Sequence, residues 1–293
     1  MLVDAGEGPI HIAQRSQALG RLEDLADQVS LHHLDLSDGE EIDQVVAAVQ
    51  PTTIYHFGAI LTGPGEQNPQ QLLDANVTGF MRILEAARRA ETEQFIFASS
   101  IGTYGRDRSP GDIDDLTIQR PNTVYGVSKV FGENLGAYYR QKYGLDFRGL
   151  RYPAIVGPGV TTWSVAQYTS WMIEKSAHGE PFTVWTTPET VVALLYYQDA
   201  ARAAVELAQA PNDQIKSINY LVNGPSPTPS AGEIADAVKR RFPQADINFE
   251  PDPTTPVGRE IRLDDRAART EWGWNHAFDL DDMIEAIAES AGH

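Results

Sequence analysis

Residues 95–105 read Phe95-Ile96-Phe97-Ala98-Ser99-Ser100-Ile101-Gly102-Thr103-Tyr104-Gly105. A short apolar run that closes on two hydroxyls and a glycine is the pattern of a strand buried on both faces and ended by a turn. Such strands belong to parallel sheets, and open parallel sheets bind ligands at the carboxyl ends of their strands. Ser99 and Ser100 fall at that end. The next long amphipathic stretch contains Tyr125-Gly126-Val127-Ser128-Lys129 and predicts a helix over about 123–142. Tyr125 and Lys129 are four residues apart, so they share one helix face, a turn apart. A phenol has an ordinary pKa near ~10 and is a poor base at neutral pH. A fixed ammonium beside it favours the phenolate, and a serine within reach orients a hydroxyl for deprotonation. Ser100, Tyr125 and Lys129 are therefore candidate catalytic residues, suited to taking the proton of an alcohol as hydride leaves its carbon. A bare Tyr-x-x-x-Lys is weak, since a surface helix with a solvated lysine gives the same letters. The strand ending in Ser99-Ser100 is what sets this pair apart.

Outward from this stretch, strand and helix patterns alternate. Residues 29–36 read as a strand, 39–49 as a helix and 53–57 as a short strand. Residues 70–89 read as one long helix, with Leu72, Leu73, Val77, Phe80, Ile83 and Leu84 at helical spacing. Residues 147–152 read as another strand. Alternation of this kind predicts an α/β fold, a doubly wound parallel sheet with helices on both faces. Beyond Gly157-Pro158-Gly159 the pattern is less regular. Strands are expected at 191–197 and 218–222, and helices at 231–241 and 280–287. Residues 223–229 and 251–256 (to Pro256) read as loops. The expected division is 1–155 for the main sheet and 156–293 for a smaller C-terminal α/β lobe, with 185–210 returning to the sheet.

The chain has 293 residues, 42% hydrophobic, a formal net charge of −18 and no cysteine. Its length supports a sizeable core. The acidic balance argues against nucleic acid or an anionic membrane as partner. Disulfides, thiolate metal sites and cysteine nucleophiles are excluded. No apolar run reaches the roughly 18 residues of a membrane span, and no signal peptide is visible, so a cytoplasmic location is expected. His32, His33 and His276 lack metal-ligand spacing, and no metal is expected. His56 reads as a hydrogen-bonded core residue and Tyr196-Tyr197 as core. Asp107, Asp112, Asp114 and Asp115 read as a solvated acidic loop.

The glycine-rich turn that lets a backbone approach a pyrophosphate at a helix N-terminus is not written in this sequence. Gly6-Glu7-Gly8 carries an acid and runs into Pro9. Residues 2–6 read instead as the tail of a helix capped by Gly6, followed by a strand at 10–15. On that reading the first strand and most of the first helix, about 20–25 residues, are lacking.

Several stretches resemble the extended short-chain dehydrogenase/reductases, the NAD-dependent epimerase/dehydratase family. They are Ser100 with Tyr125 and Lys129, Asp35-Leu36-Ser37-Asp38, Tyr55-His56-Phe57-Gly58-Ala59, Asn76-Val77-Thr78-Gly79 and Arg151-Tyr152-Pro153. Residues 118–129 and 143–148, Leu263-Asp264-Asp265 with Ala268-Arg269, and Trp272-Gly273-Trp274 are most similar to its short-chain L-threonine 3-dehydrogenase branch. The resemblance implies a Rossmann-like dinucleotide-binding domain at 1–155, a substrate lobe at 156–293 and NAD as cofactor. It implies that Lys129 and Tyr125 meet the nicotinamide ribose end, Asp35 and Leu36 the adenine, and Phe57, Gly58 and Ala59 the pyrophosphate side. Asn76 and Ile155 would line the rest of the path. Gln14 and Arg15 end the second strand where NAD enzymes often carry an acid, which leaves NADP open. Thr62, Ser100, Tyr125, Thr161 and Thr162 are the implied contacts to a small-molecule substrate. The substrate loop departs from the branch: Gly157-Pro158-Gly159-Val160 is short, Trp163-Ser164 follows the threonines, and a Ser-Trp-Pro segment expected near Gly258 is absent. A homodimer through helices 70–89 and 123–142 is also implied. The expected activity is oxidation of the hydroxyl of L-threonine or a similar hydroxy acid. The alternatives are a nucleotide-sugar epimerase, dehydratase or reductase, for which Arg240, Arg241, Arg259 and Arg262 are the available cations, and a truncated non-catalytic relative.

Overall fold

The computed structural model describes residues 1–105, 113–253 and 262–291. Asp107, Asp112, Pro256, Gly258 and Arg259, singled out above, lie outside the described residues. The chain divides into two compact units. The first holds residues 1–105, 119–150 and 204–219. Its elements are β1 (Ile10–Gln14), β2 (Val29–His33), α1 (Gly39–Val49), β3 (Thr53–His56), α2 (Thr62–Gln67), α3 (Pro69–Leu73), α4 (Phe80–Arg89), β4 (Gln94–Ser100), α5 (Val124–Tyr143) and most of β5 (Asp146–Tyr152). The second holds β6 (Ala154–Val156), α6 (Tyr168–Ala177), β7 (Phe182–Val184) and β8 (Leu194–Tyr196), and the first part of α7 (Tyr197–Gln209). It also holds most of β9 (Asn219–Leu221), with α8 (Ala231–Arg241), β10 (Ile247–Phe249), α9 (Arg266–Trp272) and α10 (Leu280–Ala291).

The parallel α/β organisation expected from the alternation is present. β1 pairs parallel with β2, β3 with β4, β6 with β8 and β7 with β10. The hydrogen-bonded order around the central strand is β3–β4–β5–β9, while β1–β2 forms a ladder of its own. In the first unit, α4 turns Phe80, Ile83, Leu84 and Ala87 onto Phe95, Phe97 and Phe147 of the sheet. Burying one such side chain contributes about 1.5–3 kcal/mol. The second unit has a separate core built on Tyr168, Met172, Val184, Leu194, Ile234, Val238, Ile284 and Ile287.

Local signals explain the element ends. Asp38 caps α1 by accepting from the Glu40 and Glu41 amides, and Ser230 and Glu233 form a capping box on α8. At the start of the chain, Glu7 N donates to Leu2 O and Gly6 N to Val3 O, with Gly6 at φ +73°. The two bonds match the pattern of a helix C-terminal closure, on residues that form turns and no helix.

Three expectations need correction. The strand expected over 29–36 stops at His33, because Asp35 Oδ1 accepts from both the amide and the hydroxyl of Ser37 and turns the chain. The single helix expected over 70–89 starts at Pro69 and is interrupted by a π-helical turn, Asp74–Gly79. The strand expected over 191–197 shrinks to Leu194–Tyr196, and Val191 makes only an isolated antiparallel bridge to Ser230.

His56 ends β3 inside the first core, with its ring 5.4 Å from that of Phe80 and 6.1 Å from that of Phe97. Burial, helped by the nearby Lys129 charge, pulls its pKa down to about 3. The folded state therefore excludes a proton that the unfolded chain binds below pH ~6.5. Stability from this group is complete above that pH and declines on acidification towards about 3. Urea unfolding at pH 7 and about pH 4.5 is expected to show a loss smaller by about 2–3 kcal/mol in His56→Gln than in the parent protein.

Candidate active site

The last three residues of β4 meet three successive rungs of α5. Ser100 and Tyr125 flank Gly102: a Cβ there would lie 3.3 Å from Ser100 Oγ and 3.6 Å from the Tyr125 ring. Ser100 Oγ accepts from Gly102 N at 3.0 Å. The Ala98 carbonyl accepts from Lys129 Nζ at 2.6 Å, and Ser99 Oγ donates to Glu133 Oε1 at 2.5 Å. α5 starts where it does because Thr123 Oγ1 accepts from Gly126 N and Glu66 Oε1, from α2, accepts from Val124 N at 2.8 Å. Thr62, the first residue of α2, is thereby tied to the start of α5.

The electrostatics of the pair are set by burial. Tyr125 is pushed up to about 12 by burial, against the pull of Ser100, so the resting side chain is the phenol. Lys129 is pulled down to about 8 by burial, with Glu133 acting in the opposite direction. Its Nζ lies 5.6 Å from the centre of the Tyr125 ring.

Residues expected to meet a cofactor follow the carboxyl ends of the strands, the edge where such sheets bind ligands. Gln14 ends β1 and turns back on its own loop, Nε2 donating to Ala18 O at 2.8 Å. Asp35 follows β2. Hydrogen bonds from Ser37, with the Arg15 charge behind them, hold its carboxyl below the usual carboxylate range. Phe57, Gly58 and Ala59 follow β3. A Cβ on Gly58 would sit 3.0 Å from Leu36 Cδ1, so this backbone rests directly on the loop after β2. Phe57 is 53% exposed.

Asn76 lies in the π-helical turn and is buried. Its Oδ1 accepts from Ile60 N at 2.8 Å, and its Nδ2 donates to Ile60 O at 2.9 Å and to Ser128 Oγ at 3.4 Å. Ser128 Oγ in turn donates to Tyr125 O at 2.7 Å. Asn76 thus joins the loop after β3 to the helix of Tyr125. Gly79, three residues on, permits the turn's close approach: a Cβ there would lie 2.1 Å from Leu36 O.

The second unit holds Ile155, Thr161 and Thr162. Ile155 lies in β6 and is half-exposed. The threonines lie in a loop pinned by Trp171 Nε1 to Val160 O (2.7 Å), by Trp185 Nε1 to Val165 O (3.0 Å) and by Gly159 N to Glu174. Trp163 beside them is exposed. Asp115 is not a solvated loop residue. Leu221 N donates to its carboxylate, Arg151 donates to its carbonyl, and burial raises its pKa to about 7. Tyr196 is core as expected, but Tyr197 is exposed. Arg240 pairs with Asp281 and Arg241 with Glu285, so both cations are committed between helices. Among the described residues no group of three or more His, Cys, Asp or Glu is placed to hold a metal ion, and no helix is long and apolar enough to cross a membrane.

The sequence reading passes over Ser128 and Glu133. Glu133 continues the four-residue spacing of Tyr125 and Lys129, and that spacing was the available signal.

The model of the NAD-dependent epimerase/dehydratase family matches residues 2–222. Mitochondrial L-threonine 3-dehydrogenase of Bos taurus is 32% identical over 267 residues, which cover 88% of this chain and 69% of that protein. The GalE-like L-threonine dehydrogenase from Cupriavidus necator, in its holo form, superposes with a TM-score of 0.86 at 27% identity, covering 96% of this chain and 99% of that one. L-threonine dehydrogenase from Clostridium difficile superposes with a TM-score of 0.88 at 26% identity, covering 99% and 92%. With three quarters of its length inside the family match and the parallel α/β fold to go with it, the chain belongs to the NAD-dependent epimerase/dehydratase family.

Proposed function

We propose that the protein is an NAD-dependent oxidoreductase that oxidises the hydroxyl of L-threonine or a similar small hydroxy acid to the 3-oxo acid. The observation that carries this reading is the placement of Ser100, at the end of β4, and Tyr125 against the same glycine, Gly102, with the buried Lys129 one turn along α5. The residues present suit a dinucleotide at both ends. Leu36 and the glycine backbone pressed against it form a floor beside the exposed Phe57 ring, and Lys129 supplies a cation at the other end. NAD, when bound, supplies the hydride acceptor; the protein supplies orientation and charge.

In this proposal Tyr125 takes the substrate's hydroxyl proton, and Ser100 holds that hydroxyl against the phenol oxygen. Lys129 lowers the free energy of the phenolate and reaches the nicotinamide ribose. Gln14, Arg15, Asp35 and Leu36 serve the adenosine, and Phe57, Gly58 and Ala59 the pyrophosphate. Asn76 and Ile155 flank the path, and Thr62, Thr161 and Thr162 contact substrate. Cofactor binding is assigned to 1–155 and substrate binding mainly to 156–293. Pairing of two copies through residues 70–89 and 123–142 belongs to the same reading, supported by the exposed Met81, Tyr138 and Tyr143 on those helices.

The test is calorimetric titration with NAD and with NADP, followed by NADH formation with L-threonine. Binding of NAD and NADH production are expected. Turnover on another alcohol but not on L-threonine replaces the substrate, and failure to bind either dinucleotide overturns the reading.

A further inference from the structure

A buried ammonium is costly unless an opposite charge or full hydrogen bonding compensates for it. Lys129 is 4% exposed. Its partners on the sheet are neutral: the Ala98 carbonyl at 2.6 Å and the Phe97 ring, whose centre lies 4.8 Å from Nζ. One turn further along α5 lies Glu133, 2% exposed. Its carboxylate is fixed at both oxygens, Oε1 by Ser99 Oγ and Oε2 by Gln119 Nε2 at 2.9 Å. Ser99 stands between Ala98, which holds the ammonium, and Ser100, which meets Tyr125. The clamp on Glu133 is therefore built from the same strand end as the site itself.

The structure assigns Glu133 as a positioning residue: its buried carboxylate is the counter-charge that keeps Lys129 an ammonium at neutral pH, and through Lys129 it sets the acidity of Tyr125. Among the described residues, the other titratable groups beside Lys129 do not supply that charge. His56, on β3, is held neutral, and Tyr125, on α5, rests as the phenol. The direction of the Lys129 shift agrees, since burial pulls it down to about 8 while Glu133 pushes it up. The inference rests on the reading of Lys129 as part of the proton-taking site, and its test is made without cofactor or substrate, so that the two fail separately.

The experiment is a carbon NMR titration of protein labelled at lysine Cε. The chain has five lysines, and Lys142, Lys175, Lys216 and Lys239 are all exposed, so Lys129 stands apart and Lys129→Arg assigns it. Glu133→Gln keeps the shape and removes the charge; Glu133→Asp keeps the charge. Lys129 is expected to titrate near 8 in the parent protein. In Glu133→Gln it is expected about one unit lower or more, with Glu133→Asp between the two. An unchanged midpoint in Glu133→Gln overturns the inference, as does an equal fall in both variants. If Glu133→Gln alone does not fold, the Lys129→Met/Glu133→Gln double variant decides. Recovery of a cooperative thermal transition supports the charge pair, and an equally unfolded double variant overturns it.

Discussion

Tyr125→Phe is expected to lower kcat/KM for the alcohol about 10²–10⁴-fold, the range for loss of a positioned acid–base group. Dinucleotide affinity measured by calorimetry should stay within a few-fold, because the ring and its packing over Gly102 are retained. The size follows from the site. Burial holds the phenol near 12, so Ser100 and the charge of Lys129 must act together to make it a base. Because the reactive phenolate–ammonium form and the phenol–amine form hold the same single proton, the parent enzyme's kcat/KM should rise with pH until the pair loses its first proton near 8, level off, and fall only as the second proton leaves towards about 12. These limbs belong to the coupled pair rather than to either residue alone. The rising limb should vanish in Tyr125→Phe. Retention of activity within tenfold, with the limb intact, would remove Tyr125 from the chemistry.

Gly126→Ala is the second large effect. A Cβ at this position would lie 2.2 Å from Gly102 O and 2.7 Å from Pro121 Cβ. The nearer atom is backbone, in the turn Ile101–Thr103 that follows Ser100, so it cannot rotate aside. The start of α5 has to withdraw, and Tyr125 moves off Ser100. Overpacking of this kind costs about 1–3 kcal/mol, and a misplacement of ~1 Å costs about 10² in rate. Thermal unfolding and steady-state kinetics read the two effects. Val127→Ala is the control: the neighbouring side chain is 49% exposed, and stability should change by no more than about 0.5 kcal/mol. Equal behaviour of the two variants would show that the contact with Gly102 does not position the helix.

Much of this was legible in the sequence because it is local. The buried strand before Ser100 and the four-residue spacing of Tyr125 and Lys129 both lie in short windows of periodicity. What escaped depends on partners far along the chain. The apolar spacing over 70–89 fits a single helix, and only the engagement of Asn76 with Ile60, 16 residues away, accompanies the π turn. Asp115 reads as one more acid in an acidic loop until Leu221, 106 residues on, donates to it. Glu133 is the reverse case, since its place on the helix face was visible but its burial was not.

The separate β1–β2 ladder has a consequence for how the molecule opens. Neither strand contains a fully buried residue, and a two-stranded ribbon is marginal by itself. Its opening free energy therefore lies below that of the β3–β4–β5–β9 sheet, and its amides should exchange with solvent earlier. Gln14, Arg15, Asp35 and Leu36, proposed to serve the adenosine, stand at the end of this ribbon. A ligand held there binds only the closed form, so its affinity is reduced by the fraction of time the ribbon is open and each bound molecule slows that opening. Protection of these amides and grip on the adenosine are thus one equilibrium, measured from its two ends.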